Sequence, residues 1–172
     1  LGGPEGLGSA AAQGTEVSLV LPTAIATSIA ATVVSDMPLG NGEHVLIVED
    51  MPAVRMLVVE MLNEAGYRCS EAGDAATALS VLQDDPSVDL LLTDVGLPQL
   101  SGRELADAAR SHRPALPVLF MTGYAENAVR RDRFLGEGMD MVLKPFQIGN
   151  LLGKVRQMLD TKSDRGQKET QP

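Results

Sequence analysis

Five short apolar runs punctuate the chain between residues 44 and 160: HVLIVED (44–50), YRCSEA (67–72), VDLLLTD (88–94), PVLFMTG (117–123) and MDMVLKP (139–145). The first, third and fourth are apolar without interruption rather than alternating, which is how strands covered on both faces read. The segments between the runs carry apolar residues at helical spacing. In 51–66 these are Val54, Leu57, Val58, Met61, Leu62 and Ala65, with Pro52 at a first helical position and Gly66 at the stop. Asp74 can cap a second helix with Ala75, Ala78, Leu79 and Leu82 inward, closed before Pro86. Residues 101–111 predict a third, with Leu105, Ala108 and Ala109 on its apolar side, and 125–135 a polar fourth. A fifth, 147–160, places Ile148, Leu151, Leu152, Val155 and Leu159 on one face. Helices between consecutive buried strands imply a parallel sheet with right-handed crossovers. The expected fold is therefore α/β, a five-stranded doubly wound parallel sheet over 44–160.

The flanks read differently. Residues 1–14 are rich in Gly and Ala, and GTEVSLVLP (14–22) alternates like a lone strand that ends at Pro22. Residues 23–43 show no helical period and close in the turn-rich DMPLGNG, so they read as a linker. The polar TKSDRGQKETQP (161–172) reads as a disordered tail, too short for a further output domain. A chain opening on Leu1 is expected to be a piece of a longer one. Val17 to Ser35 carries no charge, but Pro22, several hydroxyl residues and the absence of flanking Lys or Arg argue against a membrane span.

Composition narrows the function classes. Of 172 residues, 44% are hydrophobic and 22% charged, ordinary values for a globular protein. Fourteen basic residues against 23 acidic ones give a net charge of −9, which argues against a nucleic-acid surface. Cys69 is the only cysteine, so no intrachain disulfide can form, and a cytoplasmic setting is expected. No contact with a membrane by this stretch is expected either.

The candidate chemistry gathers at the strand ends. In open parallel sheets ligands collect at the carboxyl ends of the strands, near the topological switch. There the first strand offers Glu49 and Asp50, the third Asp94, the fourth Thr122 and the fifth Lys144, while the second offers nothing obvious. Each residue alone is ordinary punctuation: an acid after a strand usually caps a turn. Together they form three carboxylates with a hydroxyl and an ammonium. Such acids raise one another's pKa unless a positive charge sits among them. A hard divalent cation such as Mg²⁺ answers that need, since it takes carboxylate, carbonyl and water oxygens.

The stretches VLIVED (45–50), LLLTDVGLPQLSG (90–102), VLFMTG (118–123) and LKPF (143–146) resemble the receiver domain of two-component response regulators, a flavodoxin-like fold. The spacing Asp94, Pro98, Gly102 is the most specific part. The resemblance implies that Asp94 accepts a phosphoryl group from phosphohistidine. It implies that Asp50 and Asp94 bind Mg²⁺ with the backbone carbonyl of Gly96, and that Glu49 supports the site through water. Lys144 would pair with the carboxylate and then with a phosphoryl oxygen, and Thr122 would bond another. A cis Lys144–Pro145 bond is also implied. The partners implied are a histidine kinase or a histidine phosphotransfer domain, with a second copy of the chain, as a homodimer, a further candidate. GTEVSLVLP resembles the last strand of the ATP-binding domain of histidine kinases, which makes 1–22 a remnant of such a domain and places the receiver at the C-terminal end of a hybrid sensor kinase.

Three positions depart from or tune the family pattern. The aromatic residue usual three places before the lysine is here Met141, either a space-filler or a change in coupling to the output face; altered coupling is the favoured reading. Gly96 and Tyr124 occupy the positions that tune hydrolysis of the phosphoryl group, and they predict slow self-dephosphorylation. Arg130, Arg131 and Arg133 form the one basic patch, read as a solvated face before a docking surface. Two other classes fall away. An aspartyl-nucleophile phosphatase needs a second acid where Gly96 stands, and a flavodoxin-like cofactor binder needs a phosphate loop where EDMPAVR stands. A degenerate receiver serving only as a scaffold is the remaining alternative.

Overall fold

The computed structural model describes residues 39–123 and 135–168. Five strands, β1 (His44–Val48), β2 (Arg68–Ala72), β3 (Val88–Asp94), β4 (Val118–Thr122) and β5 (Met139–Leu143), form one sheet in the order β2-β1-β3-β4-β5. Every neighbouring pair is parallel. Four helices are described: α1 (Pro52–Glu64), α2 (Ala75–Asp84), α3 (Gly102–His112) and α4 (Ile148–Lys168). The fourth helix expected, 125–135, lies almost wholly outside the described residues, as do GTEVSLVLP, most of the linker, Tyr124 and the arginines 130, 131 and 133.

The strands are covered on both faces, and the period of two along each strand sorts their side chains between two cores. Val45, Ile47, Leu90, Leu92, Leu119 and Met121 join Val58 and Leu62 of α1 and Leu151, Leu152 and Val155 of α4. Leu46, Val48, Leu91, Val118 and Phe120 face the other way, onto Ala75, Ala78 and Leu82 of α2 and Leu105, Ala106 and Ala109 of α3. The inner stripe of α3 thus runs through Gly102, Leu105, Ala106 and Ala109, with Ala106 buried and Ala108 only partly so. On α1, Leu57 lies outside the stripe expected of it and is 49% exposed. An apolar residue at helical spacing can still fall beyond the arc a sheet covers.

The caps follow the local chemistry. Asp74 accepts from Thr77 N–H at the start of α2. Ser101 and Glu104 close a reciprocal capping box on α3. After α1, Gly66 takes φ +87°, and Tyr67 and Gly66 N–H groups return to the carbonyls of Leu62 and Asn63, closing the helix end. Two boundaries differ from expectation. The linker's last residues are docked: Gly40 and Gly42 donate to the carbonyls of Ala65 and Gly66, and a Cβ at Gly40 would stand 2.7 Å from the Tyr67 ring. Residues 161–168, expected to be a disordered tail, continue α4. Extending an existing helix costs far less than starting one, and Arg156 pairs with Asp160 along it. Among the described residues no helix is long and apolar enough to cross a membrane.

Candidate functional site

The strand order reverses beside β1, between β2 on one side and β3 on the other, so the carboxyl ends of β1 and β3 flank the switch point. Glu49 leaves β1 there and Asp94 ends β3. Lys144, just past β5, reaches between them: its Nζ donates to Glu49 Oε2 at 2.5 Å and to Asp94 Oδ1 at 2.7 Å. Glu49 is 1% exposed, whereas the Asp94 and Lys144 side chains remain partly open to solvent. Burial works against the ammonium, but its hydrogen bonds and attraction to Asp94 and Glu49 outweigh this and raise its pKa above the usual lysine value. Lys144 is thus held charged.

The loop after β3 is shaped around Asp94. Gly96 N–H donates to Asp94 Oδ2 at 2.6 Å, so both carboxylate oxygens are held. Gln99 has a φ of 67° and Leu100 N–H bonds to the Pro98 carbonyl, a tight reversal that brings α3 back toward the strand. The first residue of α3 then abuts the backbone of Asp94 itself: a Cβ at Gly102 would lie 2.0 Å from the Asp94 carbonyl oxygen. Only glycine fits there.

The remaining expected residues take different places. Thr122 is buried at the end of β4, and its carbonyl accepts from Lys144 N–H at 2.7 Å. Asp50 is exposed, one residue after Glu49. Lys144–Pro145 is cis. Met141 is buried among the α2–α3 core residues, in register with Phe120.

Lys144 therefore contacts Glu49 and Asp94 at once, Gly96 and Thr122 join by backbone hydrogen bonds to Asp94 and Lys144, and Asp50 follows Glu49 in the chain. Among the described residues no three acids, histidines or cysteines stand close enough to hold a metal ion as the side chains lie. The ammonium, and not a third carboxylate, stands between Glu49 and Asp94. The donor chemistry nevertheless suits a hard divalent cation: Glu49, Asp50 and Asp94 all offer oxygen, against the single ammonium bonded to two of them.

Arg55 was missed in the sequence. From α1 its Nη1 donates to the Glu49 carbonyl at 2.7 Å and its Nε to Glu71 Oε2 at 3.0 Å. The second strand, which had nothing obvious to offer, thus enters the site through Glu71. A cation on the inner side of a helix, one turn after an acidic pair, was the available signal.

With this geometry in view, the chain proves to belong to the response regulator receiver domain family, whose model matches residues 45–156. It is 33% identical over 117 residues to the response regulator receiver protein CpdR of Brucella abortus, covering 68% of this chain and 97% of that protein. It is also 33% identical over 123 residues to the sensor kinase CckA of the same organism, covering 71% of this chain but only 13% of the kinase. Among solved structures, the response regulator TrrA of Thermotoga maritima in complex with Mg²⁺-BeF matches with a TM-score of 0.61 and 27% identity, over 67% of this chain and 98% of that one.

Proposed function

We propose that the domain is a phosphoacceptor in a two-component phosphorelay, with Asp94 receiving the phosphoryl group from a phosphohistidine. The contact that carries this reading is Lys144, bonded at once to Asp94 and the buried Glu49. An Asp94 oxygen attacks phosphorus as the phosphorus–nitrogen bond of the donor breaks; the electron pair leaves with the imidazole nitrogen, and an acyl phosphate forms. Each carboxylate oxygen has a second lone pair, so the bonds from Lys144 and Gly96 hold Asp94 without blocking attack. Phosphoryl transfer needs positioning and charge neutralisation above all. Lys144 would supply a fixed cation for a phosphoryl oxygen, and the Thr122 hydroxyl would bond another.

Glu49, Asp50, Asp94 and the Gly96 carbonyl would hold Mg²⁺, which when bound neutralises the charge of the incoming phosphoryl oxygens. That the similar TrrA was solved with Mg²⁺-BeF supports this. Met51, next to Asp50, and Leu143, next to Lys144, are exposed apolar residues, which suits a protein donor, a histidine kinase or phosphotransfer domain, better than a small molecule. The similarity to CckA, a hybrid histidine kinase, supports placement in a hybrid sensor kinase, for which we infer a cytoplasmic setting. The retained acids and Lys144 favour this reading over a scaffold that has lost phosphorylation.

Incubation with a small-molecule phosphodonor and Mg²⁺, followed by intact mass measurement, tests the proposal. The wild-type chain gains the mass of one phosphoryl group and Asp94→Asn gains none. A phosphorylated Asp94→Asn, or an unmodified wild type, refutes it.

A further inference from the structure

Arg55 lies in the first turns of α1 and reaches back to the end of β1, with a side chain only 20% exposed. Glu49 N–H bonds to the Ala72 carbonyl at 3.2 Å, the last link between β1 and the β2 side. The Glu49 carbonyl lies beyond the paired part of the strand, and Arg55 Nη1 satisfies it at 2.7 Å. The guanidinium is itself anchored by Glu71 Oε2 at 3.0 Å, and it lies beside Gly73, where a Cβ would come within 3.4 Å of Nη1. Arg55 thus ties three segments together: α1, the end of β2 and the peptide joining Glu49 to Asp50.

That peptide matters because its plane is rigid. Holding its oxygen limits the backbone angles on either side and so the direction in which the Asp50 side chain leaves the chain. The same residue, Glu49, carries the buried carboxylate on Lys144. We propose that Arg55 is a positioning residue for the acidic pocket, setting the Glu49–Asp50 peptide so that both acids can engage a divalent cation together with Asp94. This rests on the reading of those acids as Mg²⁺ ligands.

Charge and position make opposite forecasts, so the sign of the effect decides. Removing a cation from the neighbourhood of three carboxylates would by charge alone tighten the binding of a second cation. Losing the clamp on the peptide weakens it. Calorimetric titration of the whole chain with MgCl₂ reads the difference, with circular dichroism confirming that each variant is folded. Arg55→Ala is expected to raise the Kd for Mg²⁺ about tenfold, the usual effect of removing a residue that orients a metal ligand. Arg55→Lys keeps the charge but lacks the fork needed for both acceptors, and is expected to raise Kd about threefold.

A Kd in folded Arg55→Ala equal to or below that of wild type overturns the inference. Should Arg55→Ala fail to fold, an unchanged Kd in folded Arg55→Lys overturns it equally. Wild type that binds no Mg²⁺ overturns the reading of the acids, and this inference with it. Wild type that binds while both variants bind as well overturns the inference alone.

Discussion

Replacing Lys144 by Met removes the ammonium while keeping much of the side chain's length. It leaves the carboxylates of Glu49, 1% exposed, and Asp94, 14% exposed at the side chain, without the ammonium that bridged them. Two charge-assisted hydrogen bonds disappear, each worth about 1.5–3 kcal/mol before the cost of burying the ammonium is set against them. Breaking a buried pair from one side costs about 3–5 kcal/mol, because the surviving charge stays buried and unpaired. Asp94 lies at the open edge, where water can replace part of what it loses. The lower end, about 3 kcal/mol, is therefore expected at pH 7, a large share of the roughly 5–15 kcal/mol that stabilises a typical domain. The pKa of Lys144 is raised in the folded state, so its contribution is fully present below the unfolded lysine value and is lost as pH rises through the folded one. The gap between wild type and variant should hold from neutral pH to about pH 10 and close above it. Urea denaturation followed by circular dichroism, in chelator to exclude divalent cations, measures both features. A gap under about 1 kcal/mol at pH 7 would show that Lys144 does not bridge the two acids in solution.

Two further outcomes are expected. Gly102→Ala sets a methyl group 2.0 Å from the Asp94 carbonyl oxygen, so either α3 or the end of β3 must move; the variant should lose several kcal/mol, about 3 or more, in chemical denaturation, and a loss below about 1 would show that the approach is looser than described. His44 is buried, and its Nδ1 accepts from Arg68 at 3.0 Å while Nε2 lies 2.8 Å from Ser70 Oγ, an arrangement that suits the neutral ring. Burial, then Arg68, lower its pKa, while Asp85 and Asp89 pull the other way. The unfolded chain thus binds the proton more readily, and stability should fall as pH drops below about 6.5 toward the lowered folded value. His44→Gln should flatten that slope; an equally steep slope in the variant would exclude His44 as its source.

Much of the architecture was legible in the chain. The short apolar cores VLIV (45–48), LLL (90–92) and VLFM (118–121) read as strands covered on both faces, and the helical spacing between them called for crossovers. Asp74 and Gly66 marked helix ends because their chemistry acts within a few residues. Glu49, Asp94 and Lys144 were identifiable as candidates because a parallel sheet brings its strand ends to one side. What escaped the sequence depended on distances between elements. Nothing in local spacing tells that Leu57 lies beyond the arc covered by the sheet, or that Ala106 faces inward. Helix α4 ran past residue 160 although its polar continuation gave no periodic signal.

The site divides along the same line. Sequence alone determined which charged groups stand at the strand ends, since helical crossovers make the strands parallel and bring their carboxyl ends to one side. Only the tertiary structure decided that Lys144 takes two carboxylates at once, that Gly102 presses on the Asp94 backbone, and that Arg55 closes the Glu49 carbonyl through β2. Hydrogen bonds require positions matched to a few tenths of an ångström between segments far apart in the chain, and such matching comes from packing rather than from pattern.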